Sequence, residues 1–178
     1  MVSKLFDIAN GKGEGEKIDL ETFVQQESFE NIIYRANDHL RTMTGRRYEM
    51  IRTSDETRGK TGLGLNVLDN YNATERSVKL LSGGELFTAS LALALGLSEE
   101  VEAKAGGISM DTLFIDEGFG SLDKKSLDSA IQLLQRLTFE KRLVGIISHV
   151  EELKTMIKNK INVYKNMDGS SSISVTVE

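Results

Sequence analysis

The sequence predicts an α/β fold: a mostly parallel sheet with flanking helices, joined to a set of antiparallel strands. Three observations predict it. Two continuous apolar runs, T-L-F-I-D-E at Thr112–Glu117 and L-V-G-I-I-S-H at Leu143–His149, bracket a helical pattern over Lys124–Leu137. Strand, helix, strand with both strands apolar throughout is the signature of a βαβ unit in a parallel sheet. Upstream, three short β-rich runs separated by polar loops read as an antiparallel meander. A tail of two more runs, around M-D-G-S-S, carries a hairpin signal.

In chain order, residues 10–19 (N-G-K-G-E-G-E-K-I-D) are polar and glycine-rich and read as a loop. A helix fits Asp19 to Met43, where Phe29, Ile33, Ala36, Leu40 and Met43 form a heptad-like stripe. The stripe alone favours a core-facing amphipathic helix over a coiled coil, which needs more heptads. Gly45 reads as its stop. The meander strands are Tyr48–Arg52, Leu63–Leu68 and Arg76–Leu80. Helices then fit Gly84–Leu97 and Glu99–Lys104, followed by the βαβ unit. The tail strands are Ile161–Lys165 and Ile173–Val177.

The composition, 39% hydrophobic and 28% charged over 178 residues, suits one domain able to bury a core. No cysteine is present, which excludes disulfides and cysteine-based zinc sites. Two histidines, His39 and His149, make a poly-histidine metal site a poor fit. No 18-residue apolar run and no signal peptide are visible, so the chain reads as cytoplasmic, with no membrane partner. The net charge of −5 does not point to a dedicated nucleic-acid surface, although it leaves room for a local patch.

The βαβ reading has a chemical corollary. Parallel strands end at one edge of the sheet, so Asp116, Glu117 and His149 all leave at the carboxyl edge, where ligands of open α/β sheets bind. Two consecutive acids at the end of an apolar strand are unusual. One can hold Mg²⁺ through its water shell, and the next can take a proton from an attacking water. His149 is either a satisfied edge residue or a member of this group. His39, mid-helix among polar neighbours, has no assigned role. Asp123, before a helix, reads as an N-cap.

L-S-G-G-E, Leu81–Glu85, opens a helix with S-x-x-E, a capping box formed by Ser82 and Glu85. The box explains neither Gly83 nor Gly84, since glycine is about 1 kcal/mol worse than alanine in a helix. Two glycines there imply a close approach to the backbone, and bare N–H groups at a helix start suit a phosphate. Cap alone and phosphate site both remain open on these residues. A G-K-T at Gly59–Thr61 is not a P-loop: position 54 is serine where glycine is required, and the following residues continue toward a strand. The G-K-G-E-G stretch at Gly11 fails the spacing as well, so the chain reads as lacking a P-loop.

Taken in order, L-S-G-G-E, T-L-F-I-D-E, G-S-L-D and I-I-S-H resemble the signature motif, Walker B strand, D-loop and switch histidine of an ABC-type ATPase (P-loop NTPase) head, in its C-terminal lobe. Transporter ATPases usually carry glutamine at the position of Glu85 and reach the Walker B acid sooner. Here 35 positions separate Leu81 from Asp116. That insert, F-I-D-E-G-F-G-S-L-D after it, and the segments L-F-D-I-A-N-G-K-G and R-A-N-D-H-L-R-T-M-T-G-R-R-Y resemble the SbcC family, the SMC-like ATPase subunits of bacterial SbcCD nucleases. The resemblance covers nearly the whole chain and is densest from Lys79 to Glu151.

The resemblance implies residues 1–45 as the end of a coiled coil leading into the head, and 46–178 as the C-terminal ATPase lobe. The N-terminal lobe with Walker A would lie outside this chain. It implies ATP and Mg²⁺ as cofactors. Ser82, Gly83 and Gly84 would contact the γ-phosphate of ATP on a second head, supported by Glu85. Asp116 would orient Mg²⁺, Glu117 would activate water, and His149 would sense the γ-phosphate. Ser121 and Asp123 of the D-loop would lie at the head–head interface. The implied partners are the Walker A lobe, a second SbcC head, an SbcD-like nuclease subunit and double-stranded DNA, in DNA repair and recombination. The chain alone is expected to be inactive. The alternatives are an SMC-type chromosome-organising ATPase without a nuclease partner, and a non-enzymatic phosphate- or partner-binding module.

Overall fold

The computed structural model describes residues 20–53, 64–106, 109–139 and 142–177. The glycine-rich loop expected at 10–19, the G-K-G-E-G stretch, the G-K-T tripeptide and the L-F-D-I-A-N-G-K-G segment lie outside them.

Helix α1, Leu20–Thr44, seats Ile33, Ala36, Leu40 and Met43 in the core. Gly45 ends it with φ +59, followed by Arg46 at φ 65, and Arg46 N–H returns to the Arg41 carbonyl at 2.8 Å. The chain then enters β1, Tyr48–Thr53. Buried Asn37 ties the two elements together: its amide donates to the Met50 carbonyl at 2.9 Å and accepts from Met50 N–H at 2.7 Å. These two bonds satisfy a buried polar side chain that would otherwise oppose folding.

Strand β2, Gly64–Asp69, and β3, Thr74–Ser77, complete an antiparallel meander in the order β1–β2–β3. The third strand starts and stops earlier than the expected Arg76–Leu80. Ser77 Oγ accepts from Lys79 N–H at 3.4 Å, which curls Val78–Leu80 into a 3₁₀ turn. Leu63, expected to open the second strand, lies outside the described residues.

One helix, α2 (Gly83–Lys104), replaces the two expected at Gly84–Leu97 and Glu99–Lys104. Nothing at Ser98 breaks the backbone, and the acids beyond it are held by α1. Arg35 Nε donates to Glu100 Oε2 at 3.1 Å, and His39 Nε2 lies 2.7 Å from Glu99 Oε1. Mid-helix Gly96 explains itself by proximity: a Cβ there would lie 2.6 Å from both the Ala36 nitrogen and the Ile32 carbonyl oxygen. Helices α1 and α2 therefore cross backbone to backbone.

Strand β4 (Thr112–Asp116), helix α3 (Lys124–Phe139) and strand β5 (Leu143–Ile147) form the βαβ unit. The strands pair in parallel, from Thr112↔Leu143 to Asp116↔Ile147. Parallel pairing among the described residues is confined to these two strands. Helix α3 buries Leu127, Ala130, Ile131, Leu134 and Leu137 on one stripe. Leu113, Ile115, Val144 and Ile146 pack toward that core. The opposite face of the sheet is open: Phe114 is 70%, Leu143 64% and Ile147 56% exposed.

A short helix α4, Glu151–Met156, leads to the antiparallel hairpin of β6 (Lys160–Lys165) and β7 (Ser171–Thr176). Strand β7 begins two residues earlier than expected, because Asn166 and Ser170 close the turn with an N–H to carbonyl bond of 2.9 Å. Ile161 opposes Val175 and Val163 opposes Ile173, and all four remain exposed. Among the described residues, no helix is long and apolar enough to cross a membrane.

Candidate functional site

The parallel register sets the first half of the site. Asp116 ends β4 opposite Ile147, which ends β5. The ladder continues one residue further, with Glu117 N–H donating to the Ile147 carbonyl at 2.9 Å. Glu117 then takes φ +59, an uncommon conformation for a residue with a side chain. Gly118 follows at φ +96. Its missing side chain has a second cause, since a Cβ there would lie 2.3 Å from the Phe87 ring. The turn carries the Glu117 carboxylate to His149, whose Nδ1 lies 2.9 Å from Glu117 Oε2. Both side chains are solvent-facing, 50% and 81% exposed, so the pair adds little stability. Asp116 is exposed beside them at the same edge.

The second half is the start of α2. Ser82 caps the helix: its Oγ accepts from Glu85 N–H at 3.4 Å, and Glu85 Oε2 accepts from Ser82 N–H at 2.8 Å. This is the predicted capping box, complete in both directions. Gly83 and Gly84 occupy the first two helical positions, whose N–H groups have no acceptor within the helix.

The two glycines are not equivalent. A Cβ on Gly84 would lie 2.8 Å from the Ser121 carbonyl oxygen, while one on Gly83 would meet only the Ser121 side chain, its Cβ at 3.3 Å. The close approach at Gly84 comes from within the chain, from the loop that follows β4. Gly83 and Ser82 lie at the exposed start of the helix. The loop is shaped by its own bonds. Ser121 Oγ donates to the Gly118 carbonyl at 2.8 Å, and Asp123 Oδ1 accepts from Ser126 N–H at 2.8 Å, capping α3. That backbone N–H holds the Asp123 carboxyl below its usual range.

Sequence reasoning did not anticipate what surrounds Glu85. Tyr48, at the start of β1, donates its hydroxyl to Glu85 Oε1 at 2.5 Å, and Arg76 Nη2 donates to the same oxygen at 2.9 Å. Burial pushes the Glu85 carboxyl up, but hydrogen bonds from Tyr48, Ser82 and Arg76 outweigh it and hold it at about 2. Burial and the Glu85 hydrogen bond push the Tyr48 phenol up to about 12. Tyr48 closes the R-A-N-D-H-L-R-T-M-T-G-R-R-Y segment, which gives it no role, and no local motif marks Arg76. The available signals are an aromatic residue opening a strand and an arginine on the strand before the L-S-G-G-E loop.

The SbcC/RAD50-like, Walker B motif family matches residues 40–136. A Staphylococcus saprophyticus protein, named as the SbcC component of the nuclease SbcCD, is 47% identical over 156 residues, 88% of this chain and 15% of that protein. The protein of the same name from Vibrio cholerae is 46% identical over 178 residues, 99% of this chain and 18% of that protein. The chain thus spans less than a fifth of the length of these relatives. A solved structure from work on ATP-driven dimerization and DNA-stimulated activation of SMC ATPases superposes with a TM-score of 0.67 at 15% identity, covering 86% of this chain and 88% of that one. An Smc head domain with an extended coiled coil from Pyrococcus furiosus gives 0.64 at 16% identity, over 99% of this chain and 40% of that one. The fold is accordingly that of an SMC-type ATPase head, and the chain belongs to the SbcC/RAD50-like family, in the region that carries the Walker B motif.

Proposed function

We propose that this chain is the C-terminal lobe of the ATPase head of an SbcC-like DNA-repair protein. It works with an N-terminal Walker A lobe of the same protein and with a second head. Within the segment 1–45, helix α1 serves as the returning end of a coiled coil, and 46–178 serve as the lobe. The observation that carries the reading is the pairing of Glu117 with His149 at the carboxyl edge, on the same scaffold as the glycine-bearing start of α2.

The residues suit ATP and Mg²⁺. Ser82, Gly83 and Gly84 offer a hydroxyl and unclaimed N–H groups at a helix N-terminus, which favours a phosphate. Asp116 offers a hard carboxylate oxygen. No group of three or more metal-ligating side chains gathers among the described residues. A single carboxylate with water and phosphate oxygens is the usual Mg²⁺ environment. Bound Mg²⁺ supplies neutralisation of charge on the phosphate oxygens.

The chain's own groups then divide the work. Asp116 would be the residue that holds Mg²⁺ through water. Glu117 accepts the proton of the attacking water, and His149, in contact with that carboxylate through Nδ1, senses the γ-phosphate. Ser82 and Gly83 hold the γ-phosphate of ATP bound to the second head. Ser121 and Asp123 line the head–head contact. Catalysis by positioning suits a divided site, because neither half is competent until both meet.

The open face of β4–β5, with Phe114, Leu143 and Ile147, supports a missing lobe as its cover. So does the small share of the relatives that the chain spans. In the parent protein, head engagement regulates an SbcD-like nuclease acting on double-stranded DNA ends and hairpins. In the intact parent, Glu117→Gln is expected to retain ATP binding, lower turnover at least about a hundredfold and accumulate engaged heads. Wild-type turnover would remove Glu117 from the role of base.

A further inference from the structure

Glu85 is held by more than its helix needs. A capping box requires only the bond between one carboxylate oxygen and the Ser82 N–H. Here Oε2 makes that bond at 2.8 Å, while Oε1 takes Tyr48 and Arg76 together, at 2.5 and 2.9 Å. Both come from the antiparallel sheet. Tyr48 is 7% exposed, with the guanidinium groups of Arg47 and Arg76 over its ring at 4.7 and 5.6 Å. Arg47 is itself fixed on buried Asp69, with Nη2 to Oδ2 at 2.9 Å. Arg76 holds its place with a buried Nε–H that finds no hydrogen-bond partner among the described residues.

We propose that Tyr48 and Arg76 are positioning residues for the L-S-G-G-E loop: they lock the Glu85 carboxylate so that Ser82 and Gly83 are presented in one orientation to the phosphate of the second head. The proposal rests on the reading of that loop given above. Neither side chain touches nucleotide; both act through Glu85. Without them the carboxylate rotates, Ser82 N–H loses its acceptor, and the first turn of α2 frays where it must be rigid.

The test uses the full-length parent protein. Tyr48→Phe removes one oxygen and keeps the ring between its arginines. The ATP concentration for half-maximal head engagement is expected to rise about tenfold, the loss typical of a hydrogen bond to a charged group. Nucleotide affinity of unengaged heads should be unchanged, a split that general destabilisation does not produce. Arg76→Lys, which keeps a donor and the charge, should shift engagement less than Arg76→Ala. An engagement midpoint within about twofold of wild type in Tyr48→Phe overturns the proposal, whatever happens to the melting temperature. Should Tyr48→Phe lose its cooperative melt, the Arg76 pair decides in the same way. Ser82→Arg, run in parallel, separates the two failures. If it engages normally, the loop reading itself is wrong. If it blocks engagement while Tyr48→Phe behaves as wild type, only the positioning role is wrong.

Discussion

His149 Nδ1 lies 2.9 Å from Glu117 Oε2, at the carboxyl ends of two strands joined in parallel register. The contact follows from topology: each residue leaves its strand just beyond the last ladder pair, Asp116↔Ile147. Because the two side chains are exposed, the pair contributes little stability, and its effect should be read in turnover. His149→Ala in the intact parent is expected to cut turnover about a hundredfold, comparable to removing one transition-state donor, with ATP binding retained. Steady-state hydrolysis alongside equilibrium nucleotide binding checks both halves.

The glycines of the L-S-G-G-E loop should respond differently to the same methyl group. Gly84→Ala forces a Cβ to 2.8 Å from the Ser121 carbonyl, a backbone atom that moves only with its loop. Overpacking of this kind costs about 1–3 kcal/mol. Gly83→Ala meets the Ser121 Cβ at 3.3 Å, a contact eased when residue 121 gives by a few tenths of an ångström. It also gains up to about 1 kcal/mol of helix propensity. Denaturant melts of the chain should therefore show Gly84→Ala destabilised and Gly83→Ala near neutral or slightly stabilised.

The crossing of α1 and α2 is predicted to tolerate no side chain at Gly96. A Cβ would meet the Ala36 nitrogen and the Ile32 carbonyl oxygen at 2.6 Å. Both are backbone atoms of a helix, so relief requires the helices to part. Gly96→Ala should cost about 3 kcal/mol, the upper end of overpacking. The denaturation midpoint of the chain measures it, and an unchanged midpoint would mean that the helices are not in backbone contact.

Glu85 makes a pH prediction whose sign is fixed. Its folded carboxyl sits at about 2, below the ordinary 4.5. The unfolded chain therefore takes up the proton first as pH falls. The stability contributed by ionised Glu85 is present above pH 4.5 and is lost as pH falls toward 2. The stability gap between wild type and Glu85→Gln should be constant above pH 4.5 and close below it. Urea melts across that range provide the check.

Elements whose periodicity or chain order dictates their partners were legible in the sequence. The stripe from Ile33 to Met43 faces the core, the meander forms, and β4 and β5 pair in parallel with Glu117 and His149 at one edge. Less legible were features set by contacts distant in sequence. Helix α2 runs on past Ser98, where Arg35 and His39 of α1 meet Glu100 and Glu99. The need for glycine at position 84 depends on Ser121, and the lock on Glu85 depends on Tyr48 and Arg76. No local pattern encodes such pairings, because either residue alone reads as an ordinary member of its own element.

Division of the site between bodies is the central claim, and ATP–Mg²⁺ binding measures it most directly. Titrated into the purified chain alone, ATP–Mg²⁺ should give no saturable binding at micromolar concentrations; titrated into the full-length parent, it should bind and bring heads together. Tight, stoichiometric binding by the chain alone would contradict the account.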